Sequence, residues 1–256
     1  MGCGLRQISL GSSVKFALLL CPKEISDSHA RKVADAETAD SGMITKENFK
    51  KILDILGFKK EQDVYTKHYE SADCDLKVNF KNEKIEYPET KGFEVNERQT
   101  CNLSDPENFV VFECVNRLLE KGYQPNHIEL EPRWKLGHNA KSGRADIWVR
   151  TFKKVDDKET DEKQSLLIIE CKTAGAEFNG AWKDTLDDGA QLFSYYQQEQ
   201  ATKFLCLYTS DFIDDKVKCE YHLINVQDND ELLTTLKEPK TYKDSKNNKE
   251  LFSTWK

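Results

Sequence analysis

The chain has 256 residues, 38% hydrophobic and 32% charged, which suits one large domain or one domain with appendages. Its net charge of -7 argues against a protein that coats nucleic acid through bulk positive charge, while leaving room for a local basic surface. No apolar run reaches the roughly 18 residues a membrane span needs, and eight cysteines without a CxxC spacing fit reduced, cytoplasmic usage rather than a disulfide framework or zinc site.

Val14 to Cys21 is a short apolar run with no small-residue cleavage site after it, so it makes a poor signal peptide. Residues 23–42 are polar and aperiodic, and Met43 looks like a more natural start. Residues 1–42 are therefore expected to be a disordered or artefactual leader. Thr45 to Leu56 reads as an amphipathic helix, with Phe49, Ile52, Leu53 and Leu56 as its stripe and Gly57 as its stop. Leu76–Phe80 and Ile85–Tyr87 read as a hairpin. Residues 43–103 are thus expected to form a small accessory layer of helix and hairpin.

Ser104 to Glu107 has the form of a capping box, with proline tolerated in the first turn. It opens a helix over 108–121 with a core face of Val111, Val115, Leu118 and Leu119, and Glu113 sits beside that face. Strands are expected over 128–136, 144–150 and 164–172, with a polar turn at 137–143 and an exposed hairpin tip at 153–164. A partly helical stretch at 181–200 follows, with Gly189 as a break or a start. Two more strands, 203–208 and 221–226, precede a polar, lysine-rich tail from 228 to 256. A helix, three strands, a helix and two strands make an α/β sheet with helices on its faces.

One strand carries the functional signal. Leu166 to Ile169 is apolar on both faces, yet it runs directly into Glu170, Cys171 and Lys172. Alternation places Glu170 and Lys172 on one face and Cys171 on the other. An acid and an amine on a core strand are costly unless a metal or partners compensate them. Asp146 lies on the strand before, so neighbouring strands would bring two hard oxygen ligands together, a set that suits Mg²⁺. Four other acid-x-Lys pairs, such as Asp75/Lys77 and Glu89/Lys91, end no apolar strand and read as solvated surface. Gln191 and Tyr195 stand four apart on the following helix and share a face.

Asp146, then an apolar strand ending in Glu170-x-Lys172, then Gln191-x-x-x-Tyr195, resembles the PD-(D/E)xK nuclease superfamily. The Q-x-x-x-Y resembles the RecB-like branch and the N-terminal nuclease of type I restriction R subunits. The likeness covers about residues 104–227; Ala145 stands where the family name has proline. It implies a restriction-endonuclease-like central mixed sheet flanked by helices. It further implies a Mg²⁺-dependent endodeoxyribonuclease of a restriction system, acting on DNA. Asp146, Glu170 and the Cys171 carbonyl would hold the metal, with Glu113 as the helix acid. Lys172 would assist the water, and Gln191 and Tyr195 would shape the phosphate site. Translocase, methyltransferase or specificity modules are expected in a longer chain or a complex.

Residues 131–154 carry Arg133, Lys135, Lys141, Arg144, Arg150, Lys153 and Lys154 against Glu131 and Asp146, a local excess of positive charge. Lys141 and Arg144 flank the turn beside Asp146 and are expected to meet DNA phosphates. His138 is expected to be simply exposed, and Trp134, Trp148 and Trp182 to be packing residues. Two alternatives stay open: an inactive nuclease-fold module that binds nucleic acid, and a non-enzymatic α/β interaction domain in which Glu170 and Lys172 merely pair.

Overall fold

The computed structural model describes residues 42–134, 143–155 and 158–226. The expected leader and tail, and with them Lys135, His138 and Lys141, lie outside the described residues. Among the described residues, no helix is long and apolar enough to cross a membrane.

The first helix, α1 (Lys46–Ile55), buries Phe49, Ile52 and Leu53, the stripe its sequence announces. Thr45 caps it: its backbone N–H donates to Asn48 Oδ1 at 2.9 Å. A four-stranded antiparallel sheet follows, in the order β1 (Lys59–Glu61), β2 (Val64–Tyr69), β3 (Cys74–Asn79), β4 (Lys84–Glu86). The hairpin expected at 76–87 is therefore half of a larger meander. β1 is exposed throughout and carries no apolar alternation, so it left no signal.

The main sheet has six strands in the order β10-β9-β8-β7-β6-β5. These are β5 (Glu94–Val95), β6 (Ile128–Leu130), β7 (Ile147–Val155), β8 (Lys158–Cys171), β9 (Phe204–Ile213) and β10 (Lys216–Asn225). β5 is parallel to β6 and β8 to β9; the other neighbours are antiparallel. The expected strand at 128–136 stops at Leu130, because Glu131 takes a φ of 55° and Pro132 follows. The hairpin tip expected at 153–164 is the far end of the β7–β8 hairpin, with Lys154 opposite Glu159 and Val155 opposite Lys158.

Helices cover both faces. The second, α2 (Pro106–Glu120), begins at Asp105, whose carboxylate accepts from Glu107 N–H at 3.0 Å. Ser104 is thus not the cap, and Glu107 does not close a capping box. The expected helix after β8 is two helices, α3 (Ala176–Asp188) and α4 (Ala190–Gln198), joined at Gly189 with φ 84°. Only glycine takes that conformation without strain, which ends one helix and starts the next.

The two faces can be followed along the strands. Leu167, Ile169, Cys171, Phe204, Cys206 and Tyr208 join the core under α2. Ile168, Leu205 and Leu207 join Phe178, Leu192, Phe193 and Tyr195 under α3 and α4. The α2 core continues into the four-stranded layer: Phe49 lies 4.5 Å from Phe109 and 5.4 Å from Phe112, centroid to centroid. A single hydrophobic core therefore runs across the expected boundary at 103/104.

Candidate functional site

β7 and β8 are antiparallel neighbours with Ile147 opposite Ile169. One step back along that register sets Asp146 opposite Glu170. The N–H of Cys171 donates to Asp146 Oδ2 at 2.7 Å, which fixes the carboxylate against the end of β8. Asp146 is 5% exposed and Glu170 3%. Cys171 turns its thiol into the opposite core, as alternation requires.

Lys172 Nζ donates to Glu170 Oε1 at 2.6 Å and to Glu107 Oε2 at 3.1 Å. Glu107, from the first turn of α2, is a third acid at the site. Its place three residues after Ser104 reads as helix capping, which hides its availability in the sequence. Glu113, expected as the helix acid, does not join the site. It takes 2.5 Å contacts from Arg117 Nη2 and the Tyr208 hydroxyl, fully buried in the core that holds Cys171. Six residues of helix, nearly two turns, separate the two glutamates and carry Glu113 inward.

Tyr195 is 1% exposed, and its hydroxyl lies 2.9 Å from Glu170 Oε2 and 2.8 Å from the Arg144 carbonyl oxygen. Lys172 thus holds one oxygen of Glu170 and Tyr195 the other. Gln191 Nε2 lies 3.4 Å from the Tyr195 hydroxyl. Tyr195 therefore reaches the carboxylate and Gln191 reaches Tyr195, whose ring is closed to solvent. An open depression of about 740 Å³ adjoins, walled by Glu170, Lys172, Glu177, Asp184, Gln191 and Ser194 among others.

The electrostatics follow from crowding. Burial raises the pKa of Asp146 well above the ordinary carboxylate value, and Glu170 and Glu107 push it further. Burial also raises Glu170, although Lys172, Tyr195 and Arg144 oppose the rise. Burial alone would lower Lys172, but Glu170, Glu107 and Asp146 outweigh it and the pKa is raised, so the side chain is an ammonium at neutral pH. Among the described residues no three histidine, cysteine or acidic side chains close around one point. What stands there is a pair of hard carboxylates, each with its pKa raised by burial and Asp146 further by Glu170, and a divalent cation with its own waters would relieve that cost. Mg²⁺ needs only one or two carboxylates, so the donor set fits it.

Among the described residues of the basic strip, Arg133, Arg144, Arg150 and Lys153 each meet an acid. Arg150 pairs with Glu94 at 2.9 Å and Glu129 at 3.0 Å, and Lys153 with Glu162 at 3.1 Å. Arg133 and Arg144 both turn to Glu97. Trp134 and Trp148 pack together at 5.5 Å, and Trp134 packs on Tyr195 at 5.8 Å, as expected of packing residues.

No protein-family model matches the chain, and no curated protein matches it significantly.

Proposed function

We propose that the chain is a Mg²⁺-dependent DNA endonuclease domain with a restriction-endonuclease-like fold, hydrolysing phosphodiester bonds in a restriction system. The observation that carries this reading is the placement of Asp146 opposite Glu170, with Lys172 on the same glutamate, beside an open depression. Such an arrangement is costly to fold and has an evident chemical use. The family resemblance supplies DNA as the substrate, and translocase, methyltransferase or specificity modules as partners.

Asp146, Glu170 and the Cys171 carbonyl would hold the cation, which supplies water activation and neutralises charge on the phosphate. Lys172, cationic at neutral pH, is no proton acceptor. It orients the water and stabilises the negative charge that grows on the phosphate oxygens. Glu107 and Glu170 fix its ammonium between them, and Tyr195 fixes Glu170. In the reaction a water oxygen bonds to phosphorus as one bridging P–O bond breaks. The water's proton leaves to solvent, and the departing alkoxide takes one up.

Plasmid cleavage with and without Mg²⁺ tests the reading. Wild type should cut only with metal, and Asp146→Asn and Lys172→Ala should each lower the rate by about 100-fold or more. Equal cutting by wild type and Asp146→Asn would sink it. Binding without cutting would favour an inactive nuclease-fold module instead.

A further inference from the structure

Arg133 and Arg144 face each other as an isolated antiparallel bridge on the two arms that lead to the site. Their guanidinium groups converge on one carboxylate. Arg133 Nε contacts Glu97 Oε1, and Arg144 Nη1 lies 3.6 Å from Glu97 Oε2. The side chains are 52%, 28% and 28% exposed for Arg133, Arg144 and Glu97, so solvent reaches the trio. That sets it apart from the Glu113–Arg117 pair, whose carboxylate is fully buried.

The surroundings hold the trio beside the carboxylate pair. Glu97 N–H and Thr100 N–H both donate to the buried Glu131 carboxylate at 2.7 Å. Glu131 N–H donates to the Asp146 carbonyl oxygen at 3.0 Å. The segment bearing Glu97 is therefore tied to the peptide that bears Asp146. On the other side, the Tyr195 hydroxyl sits 2.8 Å from the Arg144 carbonyl oxygen. Gly143 eases that approach: a Cβ there would fall 3.0 Å from Gln198 Nε2 and 3.3 Å from the Tyr195 ring, a tight fit. Arg144 is near enough to Glu170 to favour its ionised form.

We propose that Arg133 and Arg144 form a subsite for a nucleic-acid backbone phosphate next to the cleavage centre, and that Glu97 occupies it as an internal carboxylate the phosphate displaces. The proposal rests on the nuclease reading and adds a binding position to it. Guanidinium groups match the paired oxygens of carboxylate and phosphate alike. An exposed ion pair contributes little to folding, so exchange of one anion for another is easy. Contacts of this kind fix register without reading sequence.

Equilibrium binding of a fluorescent DNA duplex in EDTA, across a salt series, tests it. Glu97→Gln removes the competing charge at constant shape and should tighten binding about two- to tenfold at each salt concentration, the worth of one or two exposed pairs. Arg133→Ala should weaken binding and make the plot of log affinity against log salt shallower by about 0.9, one phosphate contact. Glu83→Gln frees Lys46 from an exposed pair on the four-stranded layer and should change neither quantity. If Glu97→Gln binds no tighter, or Arg133→Ala keeps the wild-type slope, the subsite is overturned. When that happens in a protein that still cuts with Mg²⁺, the nuclease reading stands. The expected shifts in a protein that never cuts would support the subsite and overturn the nuclease. A wild type that neither binds nor cuts overturns both.

Discussion

At Asp146 the chemistry of the site works against the stability of the fold. Burial, with Glu170 and Glu107 close by, raises its pKa in the folded chain. The folded state therefore holds the proton more tightly than the unfolded state, where the value is about 3.9. The stability this confers is complete below the unfolded value and is lost as pH rises through the folded one. Near neutrality a buried carboxylate without metal is a burden. Asp146→Asn keeps an oxygen for the Cys171 N–H and sheds the charge. In EDTA the variant should melt higher than wild type, by a margin that widens between pH 5 and pH 8. Thermal unfolding at the two pH values checks this; a constant difference would show that Asp146 is not held at a raised pKa. Residue types and spacing named Asp146, Glu170 and Lys172 because a strand's period of two is strict. The choice between Glu107 and Glu113 was beyond them. Each is an acid near one edge of an amphipathic helix, and only the position of β8 against α2 decides which meets Lys172.

Between elements, the outer face of the main sheet is tied to α3 by a stack of rings. His222 of β10 lies 4.0 Å from Trp182 at 13° and 5.2 Å from Phe178 at 10°. Burial pushes its pKa down to about 4. The unfolded chain takes up a proton below about 6.5 that the stacked ring refuses, so this residue's contribution falls as pH drops from about 6.5 toward 4. His222→Phe keeps the stack and removes the titration. Its urea midpoint should fall less than that of wild type between pH 7 and pH 5, since all other titrating groups are shared. An equal fall would remove His222 from the acid response. This stack was invisible in the sequence, where Trp182 and His222 are 40 residues apart and in different elements. The helix break at Gly189 was legible, because glycine alone accepts the left-handed conformation found there.

The molecule as a whole depends on the layer that precedes the site. Phe49 is fully buried against Phe109 and Phe112, so the helix at residue 46 supports the helix that carries Glu107. Phe49→Ala should cost about 3–5 kcal/mol. Urea denaturation would measure it, and a loss below 1 kcal/mol would mean that the layer is a detachable appendage. Charge behaves differently at this scale from its appearance in the sequence. Among the described residues of 131–154, Arg133, Arg144, Arg150 and Lys153 form ion pairs with Glu94, Glu97, Glu129 and Glu162. Those glutamates come from other elements, so a count along one segment overstates the basic surface.

Local pattern was enough for the α/β class, for the strand order from β6 to β10, and for the meeting of Asp146 with Glu170 and Lys172. These follow from local periodicity and from the pairing of consecutive strands, which are short-range properties of a chain. Packing between distant segments put Glu107 rather than Glu113 beside Lys172, buried Tyr195 against Glu170, and set Glu97 between two arginines. Each of those depends on how distant segments pack. A side chain's partners across a core are set by the sum of many small contacts, and no single stretch of sequence contains that sum.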